Sequence, residues 1–116
     1  MASAERRDGT APALPESNVA ERTRVRRPRR FQVVLHNDDY TTMDFVVQVL
    51  MSIFHKQRAE ATQIMFEVHE KGRGVCGVYP ADVARTKVTQ VTELARAHEF
   101  PLLCTAEPLN HGSEGA

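Results

Sequence analysis

A chain of 116 residues with 41% hydrophobic content has material for one modest domain with little stability in reserve. Its formal net charge of zero hides a division: residues 1–30 hold eight arginines against Glu5, Asp8, Glu16 and Glu21, about +4, which leaves about −4 for the remainder. No apolar run can span a bilayer, since "FVVQVLMSIF" is short and broken by Gln48 and Ser52, and the early acids are unlike a transit peptide, so a soluble, cytoplasmic protein is expected.

The first segment, residues 1–29, contains Pro12, Pro15 and Pro28, few apolar groups and no sustained period, and is expected to be a disordered Arg-rich extension. "RTRVRRPRR" has no aromatic side chains interleaved for base stacking, so nucleic acid is not the expected partner. "FQVVLHN" then supplies a short β-branched apolar run suited to a buried strand. Thr41 and Asp44 fit the helix-opening pattern S/T-x-x-D/E, and Met43, Val46, Val47, Leu50 and Phe54 follow at helical spacing. Phe45, Val49 and Ile53 widen that apolar face, which predicts a helix covered on two sides.

A second helix places Ala61, Ile64, Met65 and Val68 on one face and stops near Gly72; Gln57 before it is a poor cap. "RGVCGVY" predicts a strand closed by Pro80, a third helix runs through Val83, Ala84, Val88, Val91, Leu94 and Ala95, and "FPLLCTAE" supplies a last strand. The order is βααβαβ. If each element reverses the chain, an α+β fold follows, a three-stranded antiparallel sheet with strand one central and three helices packed on one face. The expected core is residues 30–107, with 108–116 a flexible tail. Cys76 and Cys104 then lie on the two outer strands, roughly 9.5 Å apart at two strand spacings, beyond disulfide reach.

Two features carry polar chemistry. "HNDDYTTMDF" puts Asn37, Asp38 and Asp39 where the first strand ends; these residues suit a turn, and they can equally reach helix N-termini. "MFEVHEKG" puts His69 beside an apolar helix face, a position open to a boundary histidine or to a functional one. Catalytic and metal readings find little footing. The cysteines sit in strands as small hydrophobes, no C-x-x-C or paired H-x-x-x-H is present, and "KGRGVCG" lacks the Gly-Lys-Ser/Thr ending of a phosphate loop. No enzyme, cofactor or metal is expected.

"LHNDDYTTMDFVVQVL", followed in order by "ATQIMFEVHEKGRGVCGVY", "ADVARTKV" and "FPLLCT", resembles the ClpS adaptor family over residues 31–106. The resemblance implies a non-enzymatic adaptor, acting as a monomer, that binds N-terminal Phe, Tyr, Trp or Leu residues of proteins destined for degradation. It also implies their delivery to the N-terminal domain of the AAA+ unfoldase ClpA, which feeds the ClpP peptidase. Carried over by motif position, it assigns Asn37, Asp38, Asp39 and His69 to the substrate's α-amino group. Thr41, Met43, Val46, Met65, Val68 and Leu102 fall to the side-chain pocket, and Tyr40, Asp82 and Lys87 to the unfoldase surface. His36 stands where several members carry an aliphatic residue at the pocket floor, and Thr42 where a proline is common. Met65 also suits an ordinary core position. The alternative function is a ClpS-like interaction domain without terminal-residue selectivity, its basic tail binding nucleic acid or an acidic partner.

Overall fold

The computed structural model describes residues 29–109; the expectations for the rest of 1–29 and of 108–116 lie outside the described residues. The element order is β1 (Arg30–His36), α1 (Met43–Ser52), α2 (Arg58–Lys71), β2 (Arg73–Pro80), α3 (Ala81–Ala97) and β3 (Leu103–Pro108). The sheet order is β2-β1-β3, both pairings antiparallel, so the predicted central position of strand one holds. Pairing continues to Leu109, whose N–H donates to the Arg30 carbonyl at 2.9 Å.

Alternation along β1 explains how the sheet divides core from surface. Val33 and Leu35 point into the core with Cys76 and Cys104, and Val34 is fully buried in the opposite direction. Both cysteines are free, as predicted. Burial pushes both thiols up, that of Cys104 to about 12, which leaves them inert at neutral pH. His36 follows Leu35 and therefore turns to the face away from the described helices, where its Nε2 lies 2.9 Å from Thr105 Oγ1. His36, the departure from the aliphatic residue that several family members carry there, is thus placed by strand parity: Leu35 occupies the inward position.

On the other face α1 contributes Phe45, Val46, Val47, Val49 and Leu50 to the core. Phe45 meets Phe100 and His98 at ring-centroid distances of 4.9 and 5.1 Å, while α2 packs along the neighbouring side, so α1 is covered on two sides as its wide apolar face predicted. Its N-cap is Thr42, not Thr41: the Phe45 N–H donates to Thr42 Oγ1 at 3.1 Å. The Thr41 hydroxyl is engaged elsewhere, and the cap falls on the next residue with extended backbone. Gln57 indeed makes no side-chain cap to α2. The third strand begins at Leu103 rather than at Phe100, because Phe100 and Leu102 fold inward as the connection from α3.

Two glycines set α2 on the sheet. Gly72 takes φ +89°, the left-handed conformation that ends the helix, and its N–H donates to the Val68 carbonyl at 3.0 Å. Gly74 allows close approach: a Cβ there would lie 2.8 Å from Val68 Cγ2 and 3.3 Å from the Ile64 carbonyl oxygen.

Candidate functional site

The site starts from the hinge between β1 and α2. The Asn37 N–H donates to the Gly72 carbonyl at 2.9 Å, which ties the end of the central strand to the end of α2 and brings Asn37 to the turn that carries His69. Beyond Asn37 the chain must reverse into α1, and Asp38 builds that reversal. Its Oδ1 accepts the N–H groups of Tyr40 (2.8 Å) and Thr41 (2.7 Å), and its Oδ2 accepts the Thr41 hydroxyl at 2.7 Å. Partial burial raises the carboxyl pKa, but the Thr41 backbone, the Thr41 hydroxyl and the Tyr40 backbone together outweigh it and hold Asp38 below its ordinary value. Asp38 therefore stays an anion while serving as the turn residue, and Asp39 next to it is exposed.

That turn and the α1–α2 pair enclose a cavity of about 230 Å³ lined by Asn37, Asp38, Asp39, Thr41, Met43, Val46, Met65, Val68 and His69. Pockets for drug-sized ligands hold roughly 300–1,000 Å³, so this one is sized for a single side chain. Val46, Met65 and Val68 are buried and give it an apolar wall. Asn37, Asp39 and His69 are exposed and give it a polar rim. Met43, at the first position of α1, is 43% exposed while still lining the cavity, which sets its thioether at the mouth.

Leu102 is buried in the core and is not among the residues lining the cavity. Tyr40, Asp82 and Lys87 also lie off the lining, but they differ from one another. Tyr40 is 75% exposed, and Asp82 is exposed with its Oδ1 accepting the Val83 N–H at 2.9 Å. Lys87 is half-buried: its Nζ donates to the Ile53 carbonyl at 2.7 Å and sits 5.9 Å and 5.8 Å from the ring centroids of Phe54 and Tyr79. It closes the C-terminal end of α1, a role that sequence spacing alone did not indicate, since the partner is a backbone carbonyl 34 positions away.

Chemically, the arrangement offers an anionic and hydrogen-bonding rim above a one-residue apolar cavity. Among the described residues there is no group of three or more His, Cys, Asp or Glu placed to hold a metal ion, and no helix long and apolar enough to cross a membrane.

Comparison with known proteins gives this geometry a family context. Residues 26–105 match the family model described as "ATP-dependent Clp protease adaptor protein ClpS". The ATP-dependent Clp protease adapter protein ClpS of Syntrophus aciditrophicus is 56% identical over 92 residues, covering 79% of this chain and 86% of that protein. Its counterpart from Oleidesulfovibrio alaskensis is 58% identical over 92 residues, covering 79% and 88%. Among solved structures, Agrobacterium tumefaciens ClpS2 bound to L-phenylalaninamide is similar at a TM-score of 0.70 and 37% identity, over 72% of this chain and all of that one. The chain belongs to the ClpS family of ATP-dependent Clp protease adaptors.

Proposed function

We propose that this adaptor binds the free N-terminal residue of protein substrates when that residue is Phe, Tyr, Trp or Leu, and delivers them to a ClpA-type AAA+ unfoldase. The observation that carries this reading is the single cavity that joins Asn37, Asp38, Asp39 and His69 to Thr41, Met43, Val46, Met65 and Val68. The similar structure bound to phenylalaninamide, an aromatic residue with a free amino group, supports it. A free α-amino group is mostly cationic at pH 7, so the Asp38 and Asp39 carboxylates favour it over an internal amide. Asn37 and His69 accept its N–H hydrogens at defined angles, which fixes the terminus rather than merely attracting it. The apolar wall then rewards a large side chain by roughly 1.5–3 kcal/mol on full burial.

The chain acts as a cytoplasmic monomer that positions substrates and performs no chemistry. Exposed Tyr40 and Asp82 suit direct contact with the N-terminal domain of the unfoldase, and Lys87 supports that surface through the end of α1. Residues 1–29 serve delivery, 30–107 recognition, and 108–116 are an appended tail. The test compares peptides beginning with Phe, acetyl-Phe and Gly by fluorescence anisotropy at two salt concentrations. Selective Phe binding lost on acetylation supports the adaptor. Uniform binding that falls steeply with salt instead indicates the basic segment as the binding element.

A further inference from the structure

The Asn37–Gly72 bond extends the β1–β2 pairing by one step, and the rung directly before it is the pair His36 and Arg73. Both of those side chains leave by the face away from the described helices: Gly74 faces α2, so its neighbour Arg73 faces the other way, and His36 follows the inward Leu35. There each is fastened to β3. His36 Nε2 lies 2.9 Å from Thr105 Oγ1, and Arg73 Nη2 donates to Glu107 Oε1, which also accepts from Gln32 Nε2 at 3.2 Å. Because β1 separates β2 from β3, the Arg73 side chain reaches across the central strand, on a face where Val34 is fully buried. Hydrogen bonds from Arg73 and then Gln32 hold the Glu107 carboxyl below its ordinary value, so it stays the anion that the guanidinium needs.

We propose that Arg73 and His36 are positioning residues for the α-amino site: by tying the final β1–β2 rung to β3, they hold Asn37 and the turn of α2 that carries His69 in the geometry that receives a free amino group. This rests on the reading that Asn37 and His69 take that group. Such acceptors need fixing, since hydrogen bonds weaken steeply away from their preferred angles. Here they come from two elements, the end of β1 and the last turn of α2, which meet at the Asn37–Gly72 bond. Without the clamp, binding itself has to order that junction, and the apparent affinity falls with the fraction of molecules whose acceptors are in place. The apolar wall of Val46, Met65 and Val68 stands on α1 and α2, so the preference for a large side chain should not move with the clamp.

The test uses the full chain as wild type, Arg73→Gln, Arg73→Lys, Thr105→Val and the double variant Arg73→Gln with Thr105→Val. Labelled peptides begin with Phe, with phenyllactyl, which replaces the amino group by a hydroxyl, or with Ala. Arg73 is exposed, and Val keeps the size and β-branching of Thr, so the variants fold, which urea unfolding checks. The Phe-to-phenyllactyl affinity ratio should fall about three- to ten-fold in the double variant, the net worth of one or two hydrogen bonds, and by less in each single variant. Arg73→Lys, still cationic and long, should retain most of the ratio, and the Phe-to-Ala ratio should stay within about two-fold throughout. A Phe-to-phenyllactyl ratio unchanged in the double variant, or an affinity loss shared equally by all three peptides, overturns the positioning role and leaves the cavity reading standing. Absence of any preference for Phe over phenyllactyl in wild type overturns both.

Discussion

Asp38 offers a direct way to separate building the site from charging it. Asp38→Ala removes three acceptor contacts of 2.7–2.8 Å to Tyr40 and Thr41, all within the reversal that carries the cavity's acidic rim. A net hydrogen bond contributes about 1 kcal/mol, and solvent around a half-exposed carboxylate limits the extra gain from charge, so the total cost should be about 2–3 kcal/mol. For a folded core of this size that lowers the melting temperature by roughly 8–20 °C. Asp38→Asn keeps one oxygen for the two backbone N–H groups, and its amide can donate to the Thr41 hydroxyl, so it should cost less than about 1 kcal/mol.

The pH dependence has a definite sign. The folded Asp38 carboxyl is held below its ordinary value by the Thr41 and Tyr40 donors, burial acting the other way. Its contribution is therefore complete above the unfolded Asp value of about 3.9 and is lost as pH falls through the lower folded value. Urea unfolding of wild type, Asp38→Ala and Asp38→Asn at pH 7 and along an acid series reads both effects. The wild-type advantage over Asp38→Asn should shrink in the acid range. Asp38→Ala within about 0.5 kcal/mol of wild type at pH 7, or Asp38→Asn as damaging as Asp38→Ala, would refute the turn assignment.

Met43→Ala should admit Ile- and Val-initiated peptides, because the thioether at the mouth crowds substituents on Cβ that Phe and Leu lack; affinities for both pairs should show the Leu-to-Ile ratio falling about five-fold or more, and an unchanged ratio in a folded variant rules out the gate. Lys87→Met keeps the stem against Phe54 and Tyr79 but loses the bond to Ile53, and should cost about 1–2 kcal/mol in urea unfolding. Unchanged stability together with lost unfoldase binding would instead make Lys87 a direct contact. Removing residues 1–28 should leave Phe-peptide affinity within two-fold while abolishing degradation of a folded Phe-initiated substrate by the Clp machine; full degradation would remove delivery from that segment.

What the sequence made legible is what local pattern controls. The order of elements follows from period switches, the central place of β1 from chain reversal, and the meeting of Asn37 with His69 from the family motifs. Finer placements depended on competition that spacing does not encode. Thr41 and Thr42 are both good caps, and the choice between them was made by Asp38 claiming the Thr41 hydroxyl. His36 departs from the aliphatic residue of the family motif, and the consequence is set by the strand: the alternation that sends Leu35 inward sends His36 out. Leu102 reads as pocket or core with equal ease, since both are apolar, and in the fold it is buried in the core, off the cavity lining. Lys87 acquires its surroundings only when distant segments pack, its Nζ meeting the Ile53 carbonyl 34 positions away.

The central claim is that the 230 Å³ cavity accepts one hydrophobic residue through its free amino group. It is tested most directly by titrating the ¹⁵N-labelled chain with L-phenylalaninamide and with N-acetyl-L-phenylalaninamide and following backbone amide shifts by NMR. The account predicts saturable shifts centred on Asn37, Asp39, Met43, Val46, Val68 and His69 with the free amine, and little response to the acetylated form. Equal responses to both compounds, or shifts centred away from these residues, would contradict it.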